Sequence, residues 1–267
     1  MAKLVALNNK QHQHVCIDTQ LAQAEGAELH LVPVVISEFL KLVVHYPIVF
    51  TKNGDTGQFM CSALMGLEEG ENLFYEKGQW SSIYLPLQLA RQPFFLGQDD
   101  VPVANAAKTH EKDAAKEQKF VICINQAHPS VTGLSQSDSG GEQQRLFTDN
   151  GDATTYLQSQ QNRLVQLLQG EQATHAFIQT LLDMKLITAI ALDIKLADDT
   201  THKVNGLYTI DEEKLNQISH DDLILLKEKG YLSPIYTLIA STSQIYTLID
   251  KKNQRIEQGA KWFQAAR

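Results

Sequence analysis

The feature that most constrains this chain is a change of hydrophobic period near residue 150. Before it, the apolar segments are short and rich in Val, Ile, Phe and Tyr; after it they lengthen and recur every three to four residues. Strands that come first and helices that follow do not make the alternating pattern of a parallel, doubly wound sheet. They imply an α+β fold: a mostly antiparallel, β-rich N-terminal half packed against C-terminal helices, with one further β-hairpin. With 43% hydrophobic and 20% charged residues, the 267-residue chain has enough apolar surface for a core. The reading is one domain over 1–267, β-rich to 150 and helical with a hairpin beyond it.

Local signals place the elements. Tyr46–Thr51 and Gln58–Leu67 flank Asn53-Gly54, a dipeptide that supplies the positive φ angles of a tight reversal. A second hairpin joins Asn72–Glu76 to Gln79–Leu85 through Lys77-Gly78, and Phe94–Leu96 and Phe120–Asn125 read as strands. Residues 98–119 and 130–144 are polar and lack an apolar face, so they read as flexible loops. Asp152 or Thr154 caps a helix from Thr155, in which Leu157, Leu164 and Leu168 mark one face and Phe177, Ile178, Leu181 and Leu182 another. Gly170 falls at that change of phase, which predicts two segments or a kink. Ile187–Leu196 and His202–Ile210 form the further hairpin. Ser219-His220-Asp221-Asp222 opens a helix that Gly230 ends, and Ser233-Pro234 opens one last helix, with Lys251, Lys252 and Arg255 toward its C-terminus.

Several function classes lack support. The 23 basic and 31 acidic residues give a net charge of −8, and no basic stripe offsets it, so no nucleic-acid partner is expected. Leu4–Leu7 is too short for a signal-peptide core, and no apolar run reaches the roughly 18 residues of a membrane span, so no membrane insertion and a cytoplasmic location are expected. Cys16, Cys61 and Cys123 sit in apolar, strand-like surroundings that suit buried thiols. His12 and His14 read as a frayed, solvated pair, and Glu68-Glu69-Gly70-Glu71 as a turn, so no metal site is expected. Neither a glycine-rich nucleotide loop nor a nucleophile elbow occurs, and no cofactor is expected.

The most informative cluster is Trp80, Tyr84, Pro86, Arg91, Pro93, Phe94 and Phe95. An arginine among aromatics and prolines stacks, forks to a carboxylate or anchors a partner. The same residues also suit a strand and short helical crossing whose rings complete the core, with Arg91 satisfying buried carbonyls or a carboxylate.

An ordered series of segments resembles one family. It runs through His30-Leu31-Val32-Pro33-Val34-Val35, Tyr46-Pro47-Ile48-Val49-Phe50-Thr51-Lys52, Gly57-Gln58-Phe59 and Gly66-Leu67. It continues through Gly70-Glu71-Asn72-Leu73-Phe74, Trp80, Tyr84-Leu85-Pro86, Arg91-Gln92-Pro93-Phe94 and Cys123-Ile124. Arg145-Leu146-Phe147-Thr148-Asp149-Asn150-Gly151, Thr155-Tyr156-Leu157, Gly206 to Leu215 and Leu232 to Ile239 complete it. This series, over roughly residues 28–250, resembles the bacterial SapC family. That resemblance implies a surface-layer-related label, no assigned catalytic residue, and gene neighbours such as TonB-dependent receptors, flavin-dependent halogenase-like proteins and cupin-type (JmjC-like) oxygenases.

The expected function is therefore a non-catalytic binding or accessory protein of an uptake or protein-modification system, with a protein partner or a second copy of itself. The binding residues singled out are Glu71, Trp80, Tyr84, Arg91 and Phe94. An enzyme built around Arg91, Tyr84 and Glu71, with His175 or Cys123, is the alternative, and a surface-layer component is another.

Overall fold

The computed structural model describes residues 3–98, 120–133 and 143–265. Strands β1 (Leu4–Ala6) and β2 (Val15–Asp18) lead into helix α1 (Thr19–Ala24), strand β3 (Leu31–Pro33), a 3-10 turn at Ile36–Glu38 and helix α2 (Phe39–Leu42). Next come β4 (Ile48–Lys52), β5 (Phe59–Leu64), β6 (Tyr75–Glu76), β7 (Gln79–Trp80), α3 (Leu87–Ala90), β8 (Phe94–Gln98) and β9 (Phe120–Asn125). Strands β10 (Val131–Gly133) and β11 (Gln143–Arg145) precede the 29-residue α4 (Thr155–Asp183). The hairpin β12 (Ile187–Lys195) and β13 (Thr201–Ile210) is followed by α5 (Glu212–Asn216), α6 (His220–Glu228), α7 (Leu232–Ser241) and α8 (Gln244–Ala265). The class is α+β, with antiparallel sheets first and helices with one hairpin after.

Two compact units form, one from Met1–Ala22 and Arg91–Val165, the other from Gln23–Ala90 and Gln166–Arg267, so the division falls within α1 and α4. The first unit holds two three-stranded antiparallel sheets, β1-β9-β8 and β10-β2-β11. Its core gathers Ile17, Phe94, Ile124, Leu146, Leu157 and Leu164. His12 is buried here: its Nδ1 accepts the Asn8 N–H at 3.1 Å and its Nε2 lies 3.0 Å from the Gln126 amide. That corrects the reading of a solvated histidine pair for His12, whereas His14 is exposed as expected; the reading counted polar neighbours and not the turn they build.

The second unit centres on the antiparallel sheet β12-β13-β4-β5-β3. Four of the five residues of β4 are buried, which is why its sequence is a run of apolar residues without alternation. The two buried hydroxyls of this sheet, Thr51 and Ser62, bond each other at 2.8 Å. Helix α7 lies against β4 and β13, and its buried Ser241 Oγ accepts the Ile48 N–H at 2.8 Å.

A reversal over 53–58 joins β4 to β5, but its positive φ falls on Gly57, at 68°, and not on Asn53-Gly54; Asn53 acts instead through its side chain, whose Oδ1 accepts the Asp55 and Thr56 N–H groups at 2.9 Å. Lys77 and Gly78, with φ of 51° and 81°, close the β6–β7 hairpin, which is shorter than its sequence suggested. Thr154 caps α4, its Oγ1 accepting the Leu157 N–H at 3.3 Å, and Ser219 caps α6. Helix α4 runs unbroken through Gly170, so of the two expected alternatives the separate segments do not occur. The last helix is instead two, because Ser241, Thr242 and Ser243 each turn a hydroxyl back onto the carbonyl three residues earlier, competing with the helical ladder. The expected loop 98–119 lies outside the described residues apart from its first residue. The ends of 130–144 contribute β10 and β11, both paired with β2, and residues 134–142 lie outside the described residues.

Candidate functional site

In the second unit, the 34–45 segment, the 81–88 segment and the Gln166–Ile178 part of α4 converge on one carboxylate. The turn into α2 puts Glu38 where its Oε2 accepts the N–H of Val35 at 3.2 Å, three residues back. Its Oε1 accepts the Tyr84 hydroxyl at 2.9 Å and the Leu87 N–H at 2.7 Å. Glu38 is 2% exposed. Burial pushes its carboxyl up, outweighing the three donated hydrogen bonds and nearby Lys41, which pull it down. The residue thus anchors the 81–88 segment onto α2.

Other contacts fix the outer part of that segment. The Tyr46 hydroxyl donates to the Tyr84 carbonyl at 3.0 Å and contacts Ser82 Oγ, and burial pushes this phenol up to about 12. His45 Nε2 accepts the Ile83 N–H at 3.2 Å, which fixes the ring proton on Nδ1. Burial and the Lys251 ammonium hold His45 below the ordinary histidine value. Lys251 Nζ donates to Ser81 Oγ at 3.0 Å, and Lys41 Nζ lies 5.2 Å from the centre of the Tyr84 ring. Two ammonium groups thus contact residues close to Ile83 in the chain, Ser81 and Tyr84, and Ile83 itself is 91% exposed. Val44, next to His45, is 57% exposed, and Leu40, one turn earlier, is 70% exposed.

The same unit has two cavities. One, about 420 Å³, is lined by Ser37, Glu38, Lys41, Tyr84, Gln166 and Gln169, with Leu87, Gly170 and Ala173. The other, about 300 Å³, has an apolar wall that includes Val34, Val35, Met60, Cys61, Leu167 and Ile178, with Gln88, Glu171 and His175 also lining it. Val35, Leu87 and Leu167 form a small buried cluster of their own, with Leu87 on the wall of the first cavity and Val35 and Leu167 on that of the second. Gly170 makes that approach possible: a Cβ there would come within 2.6 Å of Val35 Cγ2.

The residues singled out from the sequence fall into separate settings. Tyr84 lines the polar cavity. Glu71 accepts Lys252 Nζ at 2.7 Å and the Leu67 N–H at 3.1 Å; the same lysine meets Glu68 at 2.6 Å, which lies 3.3 Å from His202 Nδ1. Trp80 donates its Nε1–H to the Gln23 carbonyl at 3.2 Å and stands edge-on to Tyr75. These three share the second unit but take three different sets of partners. Arg91 and Phe94 belong to the first: the Arg91 guanidinium stacks 4.2 Å from the Phe95 ring and donates to the Phe94 carbonyl at 2.7 Å, and Phe94 is fully buried. His175 and Cys61 share the apolar cavity, whereas Cys123 is half-buried on β9 of the first unit. Glu38, Lys41, His45 and Ile83 escaped sequence reasoning. A lone Glu between Ile36 and Phe39 in an apolar run was the available signal for the first.

Lys251, Lys252 and Arg255, read as dipole partners at a helix end, lie inside α8 and hold the 68–81 region. Arg255 donates to the Asn72 and Tyr75 carbonyls at 2.6 and 2.9 Å. Among the described residues, no group of three or more His, Cys, Asp or Glu side chains is placed to hold a metal ion, and no helix is long and apolar enough to cross a membrane.

No curated protein and no solved structure shows detectable similarity to the chain. The sequence profile of SapC, in contrast, matches residues 7–248, which covers most of both compact units and every segment on which the resemblance rested. The chain belongs to the SapC family.

Proposed function

We propose that this chain is a non-catalytic binding protein, an accessory component of a bacterial uptake or protein-modification system acting in the cytoplasm. Its docking surface is the Leu40–Val44–Ile83 patch. The observation that carries this reading is Ile83, held outward at 91% exposure by hydrogen bonds to its neighbours and not by contacts of its own side chain. An apolar anchor whose backbone is fixed in advance loses little entropy on association, which is where preorganised interfaces gain affinity. The Lys41 and Lys251 ammoniums, held at Tyr84 and Ser81, select a partner whose apolar pocket is rimmed by carboxylates.

The test is light scattering coupled to size exclusion, with the purified chain mixed in turn with the proteins encoded beside it. One mixture is expected to co-elute. Ile83→Asp, a surface change that leaves the fold intact, is expected to weaken that complex at least about tenfold. Separate elution of every mixture, or a complex indifferent to Ile83→Asp, removes the reading. Self-association abolished by the same variant would transfer the patch to a second copy of the chain.

A further inference from the structure

The five-stranded sheet of the second unit ends differently at its two edges. On one side β3 is three residues long and closes on Pro33, which has no N–H to offer, and a short edge with a proline does not recruit another strand. On the other side β12 runs for nine residues, roughly 30 Å of extended chain, without proline or glycine. Among the described residues, no backbone hydrogen bond reaches β12 from outside its ladder with β13. Charge, another common guard, is confined to Asp193 and Lys195 at the far end.

The pattern of β12 decides what such an edge pairs with. The bulge in the hairpin lies on β13, where Asn205 and Gly206 oppose Ala191 and Gly206 takes a φ of 78°. Strand β12 itself therefore keeps an unbroken alternation. Ala189, Ala191, Asp193 and Lys195 are exposed on one face, while half-buried Ile190 and Leu192 and buried Ile194 pack against the core on the other. A two-fold axis brings the edge to a second copy of itself in the antiparallel sense. With the axis at Ala191, the middle residue, all nine residues pair. Ile190 of each copy then lies opposite Leu192 of the other, so both gain on the outer side the kind of apolar neighbour that Leu207 and Val204 supply on the inner. No like charges meet in this register, since Asp193 faces Ala189 and Lys195 faces Ile187. Each charge is also answered within its own hairpin, Asp193 by Lys203 at 3.6 Å and Lys195 by Asp199 at 2.7 Å.

We propose that the chain forms a two-fold dimer by antiparallel pairing of β12 with β12, which joins the two five-stranded sheets into one. The contact is independent of the Ile83 surface, and neither reading requires the other.

Sedimentation equilibrium over the micromolar range, together with hydrogen exchange, tests it. The mass is expected to rise from one chain to two with concentration, and the amides of β12, but not those of β3, to gain protection over the same range. Ala191→Lys and Ala191→Glu, at an exposed position, each set like charges against each other at the axis. Each is expected to weaken the dimer about threefold or more, and an equimolar mixture of the two to restore wild-type affinity or better. Ile83→Asp is expected to leave dimerisation unchanged. The proposal is overturned if the wild-type chain stays monomeric, or if it dimerises without added protection of β12. Undiminished dimerisation of both Ala191 variants overturns it as well. A monomeric chain that loses a different protein partner on Ala191→Lys would overturn it too, by giving the edge to that partner. Where a variant fails to fold, the concentration-dependent protection of wild-type β12 alone decides.

Discussion

At Glu38, three donors meet one buried carboxylate. Glu38→Ala leaves the Val35 and Leu87 amides and the Tyr84 hydroxyl without their acceptor. We expect a loss of about 2–4 kcal/mol in urea-unfolding free energy, against about 1 kcal/mol for Tyr84→Phe, which removes one donor and leaves two. His45 supplies a pH dependence. Its folded pKa lies below the ordinary 6.5, so below that value the unfolded chain binds the proton more readily than the folded one. This contribution to stability is complete above pH 6.5 and falls away as the pH drops toward the lower folded value. Urea midpoints between pH 7.5 and 5.5 are expected to fall more steeply for wild type than for His45→Gln. None of these roles was legible in the sequence, because each depends on a partner dozens of residues away: Tyr84 is 46 residues from Glu38, and Ile83 is 38 from His45.

At the scale of elements, α4 shows how a correct pattern can yield a wrong inference. The phase of its apolar residues does change near Gly170, yet the helix does not stop there. Leu157 and Leu164 serve the core of the first unit and Phe177, Ile178 and Leu181 that of the second, so one continuous element needs two faces. Glycine is there for proximity to Val35. Gly170→Ala gains helix propensity of up to about 1 kcal/mol but forces a methyl group onto the Val35 side chain. A net destabilisation of about 1–3 kcal/mol is expected, largely recovered in the Gly170→Ala, Val35→Ala double variant, as a double-mutant cycle in urea would show. The hairpins and helix caps were readable because their chemistry is local: Asn53, Thr154 and Ser219 act on backbone within a few residues. The split between α7 and α8 was written in Ser241-Thr242-Ser243, but a hydroxyl run breaks a helix only where it turns back on the backbone.

For the molecule as a whole, two cores underlie one family signature. Phe94 is fully buried in the first. Phe94→Ala is expected to cost about 3–5 kcal/mol and, in hydrogen exchange, to lower protection in β1, β8 and β9 before β4 and β5. Equal loss in both sheets would show that the units open as one. The α+β class followed from the order of strands and helices. The division into units did not, because each unit is assembled from stretches far apart in the chain.

That assembly has a consequence for biosynthesis. Lys3, at the foot of β1, bonds to Asn125, 122 residues further on. At ribosomal speeds of about 5–20 residues per second, β1 waits roughly 6–25 seconds for the neighbour that will hold it. During that interval the nascent chain offers an unclaimed edge to anything nearby, so trigger-type chaperones have a window on this protein that its finished form gives no hint of.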